Sequence, residues 1–217
     1  EMGMGELEEA MNRVRDIPGY RPYFDRAFGG DDPMTVDNAA KAVAAFERTL
    51  ITPNSPYDRY VKGDKGAMSG QQVRGMNAFA EAGCMACHAG PAFNGPAQEP
   101  GTGFYMKFPT FSHNDYTRDH KFADDGGRFE VTGKDTDKAL WKVPTLRNIE
   151  VTAPYFHNGS VKTLPEAVKV MAKTQLNMDL TEQQTADITA FLSALTGEFP
   201  EQPMPRLPIT PGRTIVE

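Results

Sequence analysis

Cysteine is scarce in this chain. Its 217 residues hold two, Cys84 and Cys87, inside the stretch Gly83-Cys84-Met85-Ala86-Cys87-His88-Ala89. There is no second pair, and the remaining histidines, His113, His120 and His157, are scattered. A structural zinc site wants four ligands and usually more than two cysteines, so it is short of them here. No apolar run reaches the ~18 residues of a membrane-spanning helix. Basic residues are outnumbered, 23 Lys and Arg against 29 Asp and Glu, for a net charge of -6. That balance argues against nucleic acid as a partner. It suits a basic protein partner or simply a solvated surface. No internal repeat and no low-complexity tract is visible. Glu1-Met2-Gly3-Met4 carries neither a signal peptide nor an initiating methionine. The expectation is a removed leader or a portion of a longer polypeptide.

What is present reads as a mainly helical globular chain, with 39% hydrophobic and 24% charged residues. Leu7, Met11 and Val14 recur at helical spacing over residues 5–28, a pattern broken at Pro18-Gly19. A second helix is predicted from Asp37, with Ala40, Val43, Ala44 and Leu50 as its apolar face and Phe46 beside it. "TPNSPYDRYVKGDKG" reads as a loop. Ser69 with Gln72 forms a capping box for a third helix that runs into Cys84. Residues 89–160 are rich in glycine, proline and aromatics, with short candidate strands such as "RFEVTG". They predict a long irregular, packed and functional connection. Thr163 is the N-cap of a fourth helix, with Pro165 in its first turn. Thr181 with Gln184 opens a last helix faced by Ile188, Phe191, Leu192 and Leu195, with Gly197 as its predicted C-cap.

Cys84-x-x-Cys87-His88 admits three readings. Two thiols three apart suit addition to the two vinyl groups of a haem, with the adjacent histidine as proximal iron ligand. Zinc is the second reading and lacks ligands. A thioredoxin-like redox pair is the third, but that motif opens a helix after a strand, whereas these cysteines close one. Haem attachment is favoured because every position of the motif fits. A distal ligand is then needed, and the candidates are Met106, His113, His120, His157, Met171 and Met178. Met171 stands out because Leu164, Ala167, Val168 and Met171 share one helical face; a core-filling methionine has the same spacing.

Beyond this motif the chain carries "TLITPNSPYDRYVKGD", "DDGGRFEVTG", "KVPTLRNIEVTAPYFHNGSVKTLPEAV", "VMAKTQL" and "ITAFLSALTG" in that order. This series resembles the C-terminal, electron-transfer half of the bacterial di-haem cytochrome c peroxidases, and also the related methylamine-utilisation di-haem enzymes. The resemblance runs from about residue 1 to 200. It implies a haem c held by Cys84 and Cys87, with His88 as proximal ligand and Met171 as distal ligand. It implies calcium bound through the backbone carbonyls of Thr152 and Pro154. It also implies a Glu-Met pair, here Glu1 and Met2, with the glutamate placed to move protons at a peroxidatic haem. The methylamine branch uses a tyrosine where this chain offers Met171. The family pattern includes a second CxxCH upstream, and this sequence has none.

Arg147 and Arg128 are candidates for haem-propionate contacts, with salt bridges as the alternative. Trp141, Phe104, Tyr105 and Phe108 are assigned to the core. His157 is read as a satisfied structural histidine and Asn158-Gly159-Ser160 as a turn. The expected fold is mainly α, a cytochrome c-like domain with a covalent haem and a long irregular loop insertion. Residues 1–50 are expected to be helices packing on the haem domain, 51–200 the electron-transfer haem domain, and 201–217 an extended proline-rich tail. The resemblance implies a periplasmic enzyme that reduces hydrogen peroxide to water. Its donor would be a small cytochrome c or cupredoxin, a second haem would sit in the missing N-terminal half, and the assembly would be a homodimer. The competing reading is a mono-haem electron carrier without catalytic activity.

Overall fold

A computed structural model describes residues 6–99, 102–203 and 205–209. The chain divides into two compact units, residues 1–51 with 199–217, and residues 52–198. In the first unit, α1 (Leu7–Arg15) leads through a 3-10 turn (Pro18–Tyr20) into α2 (Arg21–Phe28), and α3 (Val36–Glu47) follows. The break at Pro18 matches the sequence pattern. The Arg15 guanidinium donates to the Met34 carbonyl at 3.0 and 2.7 Å, tying the end of α1 to the approach of α3. Met11, Ile17 and Met34 are buried. The apolar residues of α3 behave otherwise than its pattern suggests. No residue of that helix is buried, and Val43 and Phe46 are 57% and 53% exposed. Gly19 lies against Pro208, where a β-carbon would meet the proline Cβ at 2.5 Å, which groups the tail with the first helices.

The second unit begins with α4 (Pro56–Val61), in a stretch that reads as a loop by composition. A capping box decides it. Ser55 Oγ accepts from the Asp58 amide and the Asp58 carboxylate accepts from the Ser55 amide, with proline at the first helical position. α5 (Gly70–Glu81) follows from the Ser69/Gln72 box. β1 (Tyr105–Lys107), α6 (Asp115–Asp119), α7 (Phe129–Thr132) and β2 (Leu140–Lys142) make up the long connection. The candidate strand "RFEVTG" is in fact α7, closed by Gly133 in the left-handed region. The strand pair lies on either side of it, with Met106 opposite Trp141 in antiparallel register. α8 (Leu164–Leu176) and α9 (Glu182–Ser193) start at Thr163 and Thr181 as their caps predict. Gly197 does not cap α9, whose C-cap is Ala194. A β-carbon on Gly197 would lie 2.0 Å from the Thr52 carbonyl oxygen, so this glycine permits a close chain crossing.

The core of this unit forms where α5 crosses α9. Phe79, Phe93 and Phe191 meet edge-on or tilted, with ring centroids 5.4 to 6.4 Å apart, and Tyr57 closes the group. Arg74 on α5 donates to both carboxylate oxygens of Asp187 on α9 at 3.2 Å. The crossing is close because α5 carries Gly75, where a β-carbon would sit 1.8 Å from the Asp187 carbonyl oxygen. Backbone cannot yield there as a flexible side chain would. Gly75→Ala is therefore expected to destabilise the unit by about 1–3 kcal/mol or more through overpacking, despite alanine's better helix propensity. A urea midpoint unchanged from the wild type would contradict this account of the crossing.

Candidate functional site

The end of α5 builds the site. After Ala82, Gly83 adopts φ 87°, a left-handed conformation that suits glycine, and turns the chain into a 3-10 turn (Cys84–Ala86). The His88 amide donates to the Cys84 carbonyl at 3.0 Å, which closes the motif on itself. Both cysteines and His88 thereby line a cavity of about 400 Å³. An adjoining apolar cavity of about 150 Å³ shares Cys84 and His88 with it. Met171, on the buried face of α8, lines both, as the shared stripe of Leu164, Ala167 and Val168 predicts. Of the other candidate distal ligands, Met106 and His157 line the larger cavity, and His113, His120 and Met178 line neither.

The electrostatics separate the three readings of the motif. Burial pushes the Cys84 thiol up to about 11, and burial raises Cys87 as well. A redox pair depends on an accessible thiolate with a lowered pKa, so this pair is the wrong kind for that chemistry. Among the described residues no group of three or more His, Cys, Asp or Glu side chains is arranged to hold a metal, which leaves zinc without its ligand set. His88 is 8% exposed. Burial lowers its pKa against the opposing hydrogen bond to Phe93, so the imidazole is neutral near pH 7. Its Nδ1 stands 2.9 Å from the Phe93 carbonyl, which can only accept. Nδ1 therefore carries the proton, and Nε2 is left as the ligating nitrogen.

The cavity also holds polar groups that want a partner. Trp141 Nε1 and His157 Nε2 are buried without a hydrogen bond, and both residues line the larger cavity. Their rings stack 4.1 Å apart. Orphaned buried donors are costly and call for an explanation. A haem would fit: an apolar macrocycle for the walls, two vinyl groups for the thiols, an iron for imidazole and thioether, and a carboxylate for the indole N–H. The "DDGG" segment supports this wall. A β-carbon on Gly127 would lie 2.9 Å from the Trp141 ring, so only glycine lets the indole take its place. His157 is thus not the satisfied structural histidine that its sequence context suggests. Its missing partner is a non-local fact, and the sequence signals it only as a histidine in an aromatic run.

Arg147 takes the salt-bridge alternative. It does not line the cavity. Its guanidinium donates to the Pro91 carbonyl at 2.9 Å, Ser55 Oγ at 3.0 Å and the Asp58 carboxylate at 2.8 Å. Arg128 pairs with Asp137 at 3.1 Å and lies over the Tyr105 ring. Trp141 and Phe108 line the cavity, and Phe108 stacks on Phe156. Asn158 forms the expected turn, its side-chain oxygen accepting from the Ser160 amide. Thr152 and Pro154 line the larger cavity. Glu1, the candidate proton carrier, lies outside the described residues, as does Met2.

Mainly helical architecture around an apolar cavity, with a CxxCH turn in its wall, is consistent with a cytochrome c-like fold. The chain's similarities to known proteins run the same way. A family model described as di-haem cytochrome c peroxidase matches residues 1–66. The chain is 41% identical over 201 residues to the cytochrome c551 peroxidase of Nitrosomonas europaea, covering 93% of this chain and 56% of that protein. It is 39% identical over 199 residues to the cytochrome c551 peroxidase of Pseudomonas aeruginosa, covering 91% of this chain and 55% of that protein. A solved MauG-like protein associated with microbial copper homeostasis superposes with a TM-score of 0.69 at 28% identity, over 91% of this chain and 65% of that one. The chain is similar to the di-haem cytochrome c peroxidases, and it spans just over half the length of these curated relatives.

The cysteine turn can be tested by mass. In chain matured with haem, the Cys84→Ser/Cys87→Ser double variant is expected to lose the mass of one haem after denaturation. Equal denatured masses for variant and wild type would place the attachment elsewhere. The Asp58 pair can be tested by acid. Burial raises the Asp58 carboxyl, but its hydrogen bonds with Arg147 and Ser55 and the Arg147 charge outweigh burial and hold it below the usual 3.8. Its stabilising contribution is complete above the unfolded carboxyl's pKa and is lost as pH falls through the lower folded value. Asp58→Asn should lower stability at pH 7 by about 1–3 kcal/mol and flatten the loss of stability as pH falls below the unfolded carboxyl's pKa. Parallel pH–stability curves for variant and wild type would refute that assignment.

Proposed function

We propose that this chain is the electron-transfer portion of a di-haem cytochrome c peroxidase, an enzyme that reduces hydrogen peroxide to water with two electrons and two protons. The observation that carries the reading is the convergence of two thiols, a neutral buried histidine and the Met171 thioether on one apolar cavity. A haem bound there supplies a one-electron iron couple, which a thioether paired with an imidazole shifts towards the reduced form. The residues of the chain do the rest. Cys84 and Cys87 anchor. His88 presents Nε2 because its other nitrogen is committed to Phe93. Met171 would supply a thioether to the same iron, so this portion would hold an electron and the peroxide chemistry would fall to a second haem outside this chain.

The methylamine-type alternative is weaker on one specific point. The tyrosine that lines both cavities, Tyr155, spends its hydroxyl on the Ile149 carbonyl at 3.1 Å. Met171 carries no such commitment and is the better iron ligand. The same reading supplies the setting: a periplasmic enzyme, an electron donor that is a small cytochrome c or cupredoxin, a homodimer, and calcium held by the Thr152 and Pro154 carbonyls with water. Carbonyl and water oxygens suit that ion.

Haem counting by pyridine haemochrome on the natural polypeptide, with its intact mass, tests the reading. Two haems at a mass well above 23.9 kDa are expected. One haem at that mass plus the cofactor would make the protein a self-contained electron carrier. In the natural enzyme, Met171→Ala is expected to replace the low-spin thioether spectrum with a high-spin one. Donor-driven peroxide reduction should fall by about tenfold or more, a barrier increase of at least 1.4 kcal/mol.

A further inference from the structure

Three consecutive carbonyls behind the proximal histidine are each held by a different side chain. Arg147 Nε donates to Pro91 at 2.9 Å, Thr145 Oγ1 donates to Ala92 at 2.6 Å, and His88 Nδ1 stands 2.9 Å from Phe93. The loop that presents them is not one the chain would adopt unaided. Phe93 is a buried, non-glycine residue at φ 53°, flanked by Gly90 at φ 77° and Gly95 at φ 105°. A left-handed conformation at such a residue costs about 1–3 kcal/mol and persists only where the surroundings over-determine it. Here they do. The Phe93 ring is packed edge-on against Tyr57 and Phe191. Arg147 and Thr145 pin the two preceding carbonyls, and Arg147 is itself anchored to Ser55 and Asp58 at the N-terminus of α4.

We propose that Thr145 and Arg147 are positioning residues for the proximal ligand: they fix the Pro91–Phe93 carbonyl row, and through it set the His88 Nδ1 hydrogen bond that tunes the haem iron. This rests on the reading of His88 as proximal ligand. The physical link is the basicity of the imidazole. A short, well-directed Nδ1–H bond to a carbonyl adds electron density to the ring, strengthens Nε2 as a ligand and favours the oxidised iron. A loosened carbonyl row lengthens that bond and favours the reduced iron. The two residues touch neither the cavity nor any iron ligand, so the effect reaches the iron only through Phe93.

The test measures the reduction potential of the haem-loaded full chain in the wild type, Thr145→Val, Thr145→Ser, Arg147→Lys and the control Arg74→Gln. The control removes the Arg74–Asp187 pair at the α5–α9 crossing and leaves the carbonyl row alone. Thr145→Val keeps the side-chain volume and removes the donor. Its expected result is an upward shift of up to a tenfold change in the ferric–ferrous balance, about 59 mV for one electron. Arg147→Lys should shift the same way, Thr145→Ser should restore the wild-type value, and Arg74→Gln should lower the melting temperature without moving the potential. Wild-type potentials in both Thr145→Val and Arg147→Lys would overturn the proposal while leaving the haem reading intact. So would a shift in Arg74→Gln matching theirs, because that would tie the potential to general stability. A wild-type chain that takes up no haem would overturn the haem reading and the proposal together.

Discussion

The close crossing of α5 and α9 is the constraint on which the second unit depends. Gly75 lets the α5 backbone approach Asp187 to a distance that no β-carbon would allow. Arg74, one residue earlier and 60% exposed, adds a forked pair of hydrogen bonds to the same aspartate without setting that distance. From that crossing α5 runs on to Glu81, and Gly83 redirects the chain about two turns past Gly75. The position of the cysteine turn is thus a consequence of helix packing two turns upstream. The crossing also places Phe79 against Phe191 and so carries the aromatic group against which Phe93, and behind it His88, is braced.

Much of this was legible in the sequence because it is local. A capping box is written within four residues, and Ser69/Gln72 and Thr181/Gln184 both mark real helix starts. The Leu164–Ala167–Val168–Met171 stripe brings Met171 to the cavity because a helical face is set by spacing alone. The same logic missed α4: Ser55 and Asp58 form as good a box, but the proline and glycine around them outweigh it by composition. "RFEVTG" failed for a related reason. Its β-branched and aromatic residues suit a strand, yet Arg128 and Gly133 bound a single helical turn.

What could not be read locally is which side chain meets which across long separations. Arg147 in a "PTLRN" stretch is a plausible carboxylate binder by chemistry, and it does bind one, but the carboxylate is Asp58, 89 positions away. His157 has an ordinary aromatic context in sequence. Only the fold shows that its ring stacks on Trp141 and that both polar atoms are buried without a hydrogen-bond partner among the protein's own groups. Glycines mislead in the same way. Gly197 follows a helix and looks like a cap, yet its lack of a side chain serves a chain 145 residues away, at Thr52.

The division of labour between His88 and Met171 follows from how each is held. His88 is fixed at its far nitrogen by a carbonyl in a strained, braced loop, so its ring orientation is set before any ligand arrives. Met171 is held by apolar packing against the core, with no polar tie of the kind that fixes His88. An unbranched thioether with three rotatable bonds adapts its sulfur position to whatever lies in the cavity. Under the proposed reading, a rigid donor and a compliant one would hold a haem iron with little movement of the backbone between its two oxidation states. Such a pair would suit passing electrons rather than binding peroxide. A Tyr155 ligand would break this arrangement, because freeing its hydroxyl means giving up the Ile149 carbonyl at 3.1 Å. The loss would leave that acceptor unpaired in the turn that carries Thr152 and Pro154 into the cavity wall.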